Sequence, residues 1–299
     1  MRDELGLETF QFGDSTTKLL KVFNPLTKEE HELAQVVHYC GLAFAKYPEL
    51  AFQLEGIGGN PPDFLISRGN KEIKLDVVSF SFTQKRAASV RFRTLKQAVL
   101  ESFRRGELPG LSNINFAVRF LDNVVLGDIA LNKIVIPEFI ESLKKIGRQS
   151  WSIDAFDSNW AGQPGPGPFP MNQEGTTSDN KMKWYVSRVG QTLIDNDFVR
   201  ECNFNIENNY RTTLNFNDIE QRVMELIQSH DQPLIEELLI VAGGPDKFGE
   251  GFDDEASFAS IFISRRKEYF IKPKYLQRIV IDNWRKDTLD VIYENKFRI

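Results

Sequence analysis

The stretch Pro61-Pro-Asp-Phe-Leu-Ile-Ser-Arg-Gly-Asn-Lys-Glu-Ile-Lys-Leu-Asp-Val-Val78 concentrates the residues best suited to chemistry. Side chains alternate along a strand, so Ile73, Leu75 and Val77 share one face while Glu72, Lys74 and Asp76 share the other. A hairpin turn at Gly69-Asn70 pairs Ile66 with Ile73, Phe64 with Leu75 and Asp63 with Asp76. A turn at Arg68-Gly69 instead sets Asp63 opposite Lys74, beside Glu72. Either register draws Asp63 into the cluster. Carboxylates a few ångströms apart repel by roughly 1 kcal/mol or more per pair at a surface, which makes a cation the natural occupant. Magnesium, or manganese in its place, takes oxygen ligands, keeps several waters and is commonly held by one or two carboxylates plus a substrate phosphate. Such an ion lowers the pKa of bound water, and a neighbouring ammonium orients that water or offsets developing charge. The chemistry expected of Asp63, Glu72 and Asp76 as metal ligands, with Lys74 beside them, is phosphodiester hydrolysis.

Positioning these groups requires a helix, a loop and a hairpin in succession. Thr27 and Glu30 have capping-box spacing, and Leu33, Val36, Val37, Cys40 and Phe44 repeat with helical period, which predicts a helix over Thr27–Ala45 that stops at Tyr47-Pro48. After a loop from Gly56 to Pro62, strands are expected over Asp63–Ile66 and Lys71–Phe82. A helix over 90–105 follows, with Phe92, Leu95, Val99 and Phe103 inward and Arg93, Gln97 and Arg104 within about 40° of one another on a neighbouring stripe. Within residues 84–105, Lys85, Arg86, Arg91, Arg93, Lys96, Arg104 and Arg105 face Glu101 alone, a local net charge of +6. Of these, Arg86, Arg91, Arg93 and Lys96 are the expected contacts to backbone phosphates.

Pro62-Asp63 followed by Glu72-Ile73-Lys74 resembles the signature of the PD-(D/E)XK, or restriction-endonuclease-like, nuclease superfamily. A second alignment, on Ile73-Lys-Leu-Asp-Val-Val78, makes Asp76 the second acid and leaves Val78 where the lysine belongs. Both alignments stand open at this point. The resemblance implies a mixed central sheet flanked by helices, a magnesium- or manganese-dependent nuclease acting on DNA, with RNA not separated from it, and a further glutamate from the preceding helix. Glu32, with Glu29 and Glu55 as other choices, is the expected extra carboxylate. It also implies a setting in bacterial genome defence or a mobile element, with a helicase or ATPase as partner, because the chain has no nucleotide-hydrolysis motif of its own. A nuclease-like binding or scaffold subunit without catalysis is the second reading, motivated by Val78 and the acidic net charge.

Further along, strands are expected at Ile114–Phe120, Lys183–Val189, Glu237–Val241, Phe258–Ser264 and Arg278–Asp282. Helices are expected at Pro137–Ile146 and at Asp218–Ser229, the latter capped by Asn217 with Glu220 behind it. Residues 159–181, with Pro164-Gly-Pro-Gly-Pro168 at their centre, read as a loop insertion flanked by Trp151, Phe156, Trp160 and Phe169. The whole of 1–299 is expected to be one elaborated α/β domain.

Composition narrows the classes. With 41% hydrophobic and 26% charged residues the chain has material for a large core. A net charge of −5 argues against coating nucleic acid over the whole surface, so any contact must be local. Cys40 and Cys202 form no Cys-x-x-Cys pair, which fits a reducing compartment. The acidic N-terminus and the lack of long apolar runs point to a cytoplasmic protein without membrane insertion, and self-association is compatible with everything above. With His31, His38 and His230 as the sole histidines, multi-histidine nuclease sites lack their ligands. The glycines of Ala242–Phe252 lack a Gly-Lys-Ser/Thr ending and read as a connection after a strand, whose Asp246 and Lys247 fall at a cleft mouth. Asp253-Asp254-Glu255 reads as a solvated acidic turn.

Overall fold

The computed structural model describes residues 9–13, 16–59, 61–108, 111, 114–121, 128–147, 173–188, 197–202, 204–208, 211–265 and 271–295. In chain order these form β1 (Thr9–Gly13), β2 (Thr16–Lys18), α1 (Lys28–Lys46), β3 (Gln53–Ile57), β4 (Phe64–Arg68) and β5 (Lys71–Phe80). Then come α2 (Thr83–Arg104), β6 (Ile114–Phe120), α3 (Asp128–Ala130), a π-helical stretch Leu131–Val135, α4 (Ile136–Gly147), β7 (Gln173–Thr176), β8 (Met182–Arg188), α5 (Asp197–Cys202) and β9 (Asn205–Asn208). The last elements are β10 (Arg211–Asn215), α6 (Phe216–His230), β11 (Glu237–Ala242), β12 (Glu250–Phe252), α7 (Asp253–Arg265), β13 (Arg278–Asn283) and β14 (Thr288–Glu294). The chain groups into two compact units, Met1–Phe82 with Arg211–Ile299, and Thr83–Tyr210 between them in sequence.

The first unit is built on a mixed six-stranded sheet in the order β14-β13-β11-β5-β4-β3. β3, β4 and β5 form an antiparallel meander, β5, β11 and β13 run parallel, and β14 returns antiparallel. Alternation along the strands sends Ile73, Leu75, Val77, Leu239, Val241 and Val280 to one face, where Val36, Tyr39, Leu42 and Ala43 of α1 cover them. The intervening residues Phe80, Leu238, Ile240, Ile279 and Ile281 pack against Ile219, Val223 and Ile227 of α6 and Phe258, Ala259 and Phe262 of α7. With helices on both faces, β11 reads as the continuous apolar run Leu238-Leu-Ile-Val241, as fully covered parallel strands do.

In the second unit, a four-stranded sheet in the order β7-β8-β6-β9 packs Phe116 and Val118 against Leu95 and Val99 of α2 and Phe139 and Leu143 of α4. Phe116 meets both Phe139 and Phe204 edge to face, with centroids 6.0 and 6.1 Å apart.

Several expectations need correcting. The buried stripe of α1 is Gln35, Val36, Tyr39, Leu42 and Ala43, whereas Val37 and Phe44 are 58% and 61% exposed. Both choices keep helical period; the sheet selects the one carrying Tyr39. Phe258–Ser264 is helical, not a strand, because Asp253-Asp254-Glu255 start α7 and Phe258, Ala259 and Phe262 then share its inward face. For the same reason that triplet is no solvated turn, and Asp254 and Glu255 are buried. The cap of α6 is Asn215 with Asp218 rather than Asn217 with Glu220. The helix expected at 90 already begins at Thr83. Gln173–Thr176 pairs with β8, so the expected loop insertion is a strand there, while 159–172 and the four flanking aromatics lie outside the described residues. Asp246 closes its own turn, accepting from the amides of Phe248 and Glu250 at 2.8 and 3.1 Å.

Charged groups brace both ends of the parallel strands. At the start of β11, Glu237 is 2% exposed and accepts from Arg68 Nη1 and Nη2 at 2.5 and 2.8 Å and from the Tyr39 hydroxyl at 2.8 Å. At the end of β13, the fully buried Asp282 accepts from His38 Nδ1 at 2.8 Å, His38 Nε2 lies 3.5 Å from Asp287, and the imidazole stacks on Trp284 with centroids 3.7 Å apart. Removing one partner of the first network leaves a buried charge behind, so Arg68→Ala is expected to cost about 3–5 kcal/mol in denaturant unfolding. At the second, burial works against charging His38, but Asp282 and then Asp287 raise its pKa above the ordinary value. A raised histidine stabilises fully below its unfolded pKa of about 6.5 and loses that contribution as pH climbs through the folded value. His38→Gln should therefore make the decline in melting temperature between pH 6 and pH 8 shallower.

Candidate active site

The hairpin of β4 and β5 turns at Gly69-Asn70, with Gly69 at φ 59°, and pairs Ile66 with Ile73 and Phe64 with Leu75. Continuing that register by one residue sets Asp63 across from Asp76. The loop before β4 holds Asp63 in place, since Gly58 N–H donates to the Asp63 carbonyl at 2.8 Å. A Cβ on Gly58 would stand 2.3 Å from the Pro62 carbonyl oxygen, so only glycine permits that approach. On the other side, Asp63 Oδ2 accepts from the Val77 amide at 2.9 Å.

Asp76 is 5% exposed and its Oδ2 lies 2.5 Å from Nδ1 of His230, the last residue of α6. Burial pushes Asp63 up to about 7, helped by a hydrogen bond with Asp76. Asp76 sits below its usual value: burial opposes this, but hydrogen bonds from His230 and Asp63 outweigh it. Burial first, and then the neighbouring Asp76, thus keep Asp63 from ionising over the ordinary carboxylate range. From α1, Glu32 is raised by burial against the pull of Lys28, whose Nζ lies 3.4 Å away, and the field of Asp76 reaches it. Lys28 in turn feels Glu32 first, then Asp63 and Asp76.

Of the residues expected from sequence, Asp63 and Asp76 are brought together and Glu32 stands in their field. Glu72 is exposed and lies opposite Ser67, four residues up β5 from Asp76, about 13 Å at the usual strand rise. Lys74 is half-buried opposite Leu65, with its main chain tied to Glu236 through N–H and C=O bonds of 3.2 and 2.9 Å. Sequence reasoning missed His230 and Lys28. His230 is 154 residues from its partner, beyond any local pattern. Lys28 was legible in principle, being one turn before Glu32 on the same helix.

The expected phosphate-contacting residues belong to α2 in the second unit, where Arg86, Arg91, Arg93 and Lys96 are half-buried. Lys96 lies over the Phe198 ring at 4.8 Å. Arg104 and Arg105 are bound by Glu201 and Glu107, acids outside the stretch that gave the local charge of +6. No described helix is long and apolar enough to cross a membrane.

The donor set fits a hard divalent ion. Asp63 and Asp76 offer carboxylate oxygens, the ligand type such an ion prefers, and Asp76 lies in the field that Asp63 feels. Among the described residues no group of three or more His, Cys, Asp or Glu encloses such an ion, so waters and a substrate oxygen would complete its coordination. No family model, curated protein or solved structure matches this chain.

Asp63→Asn reproduces the protonated carboxyl. An acid raised in the folded state loses stability as pH rises from its unfolded value to its folded one, here from about 4 to about 7. The variant should therefore exceed the wild type by about 1–2 kcal/mol at pH 8, after allowance for solvent screening, and match it at pH 4 in chemical unfolding.

Proposed function

We propose that this chain is a divalent-metal-dependent nuclease of the restriction-endonuclease-like kind, hydrolysing phosphodiester bonds of DNA. The observation that carries the proposal is the facing of Asp63 and Asp76 across one hairpin, with Asp63 kept from ionising until about pH 7. Two carboxyls so placed favour exchange of the Asp63 proton for magnesium or manganese. The mixed sheet with helices on both faces, and the position of the pair beside α1, agree with the architecture that the sequence resemblance implies.

In this reading Asp63 and Asp76 hold the ion, and Glu32 holds one of its waters. The ion, when bound, supplies an activated water and stabilises charge on the phosphate. Lys28, the ammonium whose field reaches both acids, takes the electrostatic role first assigned to Lys74. Arg86, Arg91, Arg93 and Lys96 bind substrate phosphates, and a helicase or ATPase delivers the DNA.

A second reading, a nuclease-like scaffold subunit without catalysis, is favoured by one feature. Val78, at the position the resemblance gives to lysine, packs among the apolar residues under α6 and α7. Incubation with supercoiled DNA, linear DNA and RNA, with and without magnesium or manganese, separates the two. The nuclease reading expects metal-dependent cleavage of DNA that falls by at least about a hundredfold in Asp63→Asn and Asp76→Asn. Cleavage unchanged by either substitution excludes this site. Absence of both cleavage and manganese binding leaves the scaffold.

A further inference from the structure

We infer that His230 is the positioning residue of the carboxylate pair, fixing Asp76 in the orientation that a divalent cation requires; this rests on Asp63 and Asp76 forming a cation site. The imidazole is delivered rigidly. Ile219, Val223, Leu226 and Ile227 bury α6 against the sheet, and Arg222 Nε donates to the Ser81 carbonyl at 2.8 Å. Directly after His230, the Asp231 carboxylate accepts from the amides of Lys274, Tyr275 and Leu276 at 2.6, 2.8 and 3.0 Å, pinning the end of α6 to the approach of β13. The helix is therefore anchored without the His230 bond, whose contribution falls on Asp76 itself.

The hydrogen bonds around the pair explain what that contribution is. Val77 N–H holds Oδ2 of Asp63, and His230 Nδ1 holds Oδ2 of Asp76. Each carboxyl thus has one oxygen held from outside the pair, by Val77 N–H for Asp63 and by the imidazole for Asp76, while further hydrogen bonds to Asp76 come from Asp63 itself. Outer partners of this kind orient metal-binding groups, and their loss commonly weakens binding tenfold to a hundredfold. Without the imidazole, Asp76 keeps only its hydrogen bonds to Asp63 and loses the one contact that holds it from α6.

Manganese binding to the full chain, followed by electron paramagnetic resonance alongside melting temperature, tests this. His230→Phe keeps a ring without a donor and should weaken manganese binding by about tenfold or more. His230→Asn places an amide nitrogen near the position of Nδ1 and should bind within about threefold of the wild type. His230→Gln carries its donor too far along the side chain and should lose affinity as phenylalanine does, which supplies the same comparison if His230→Phe does not fold. A purely structural histidine would lower the melting temperature of these variants and leave affinity unmoved. Wild-type affinity in His230→Phe or His230→Gln, or equal weakening in His230→Asn, overturns the inference while loss of binding in Asp63→Asn upholds the cation site. Unchanged binding in Asp63→Asn, or none in the wild type, removes the site and the inference with it.

Discussion

A two-residue turn fixes what this protein can do. Side chains on a strand alternate with period two, so the choice between Gly69-Asn70 and Arg68-Gly69 as turn decides which residues face each other across the hairpin. With the left-handed Gly69 at the first position, apolar residues meet apolar residues on the covered face and Asp63 meets Asp76. The repulsion between these acids would oppose that register were it not for the pairing of Ile66 with Ile73 and Phe64 with Leu75, since the other turn would set Ile66 against Lys71. Burying one such side chain is worth roughly 1.5–3 kcal/mol, and two apolar pairs together outweigh a single carboxylate repulsion of about 1 kcal/mol. Packing wins, and the electrostatic conflict is left in place.

The same trade recurs at the two ends of the parallel strands. Glu237 and Asp282 occupy positions that apolar side chains could fill, and each is held by cations and ring systems from α1 and from neighbouring strands. α1 is thereby attached to the sheet by more than its apolar stripe: Tyr39 reaches Glu237 and His38 reaches Asp282 from adjacent positions on one helix. Because α1 also carries Lys28 and Glu32, the position of these two relative to the hairpin acids follows from contacts made two and three turns further along the helix.

Much of this was legible in the residues. The Thr27–Glu30 capping box, the apolar run of β11 and the alternation of β5 announce their elements, because each signal lies within a few residues of what it specifies. Failures arose where two local patterns were equally good. Val36 and Val37 both continue a helical stripe, and only the sheet beneath distinguishes them. Phe258–Ser264 alternates acceptably as a strand, yet the acids before it begin a helix. At the candidate site, the residues of the hairpin were readable and the choice between Glu72 and Asp76 was not, because it depends on the turn. His230 was invisible, since α6 meets β5 only after the whole second unit has intervened.

That interruption bears on how the molecule comes to be made. Leu75 and Glu237 are neighbours across the sheet yet 162 positions apart in sequence. At about 5–20 residues per second, on the order of ten seconds or more of synthesis separates the two strands. Throughout that interval β5 presents an open edge containing Val77, Val78 and Phe80, the kind of surface that recruits strands from other chains. The second unit, continuous in sequence, has its described strands available before β11 leaves the ribosome, so its sheet can form while the sheet of the first unit still lacks β11, β13 and β14.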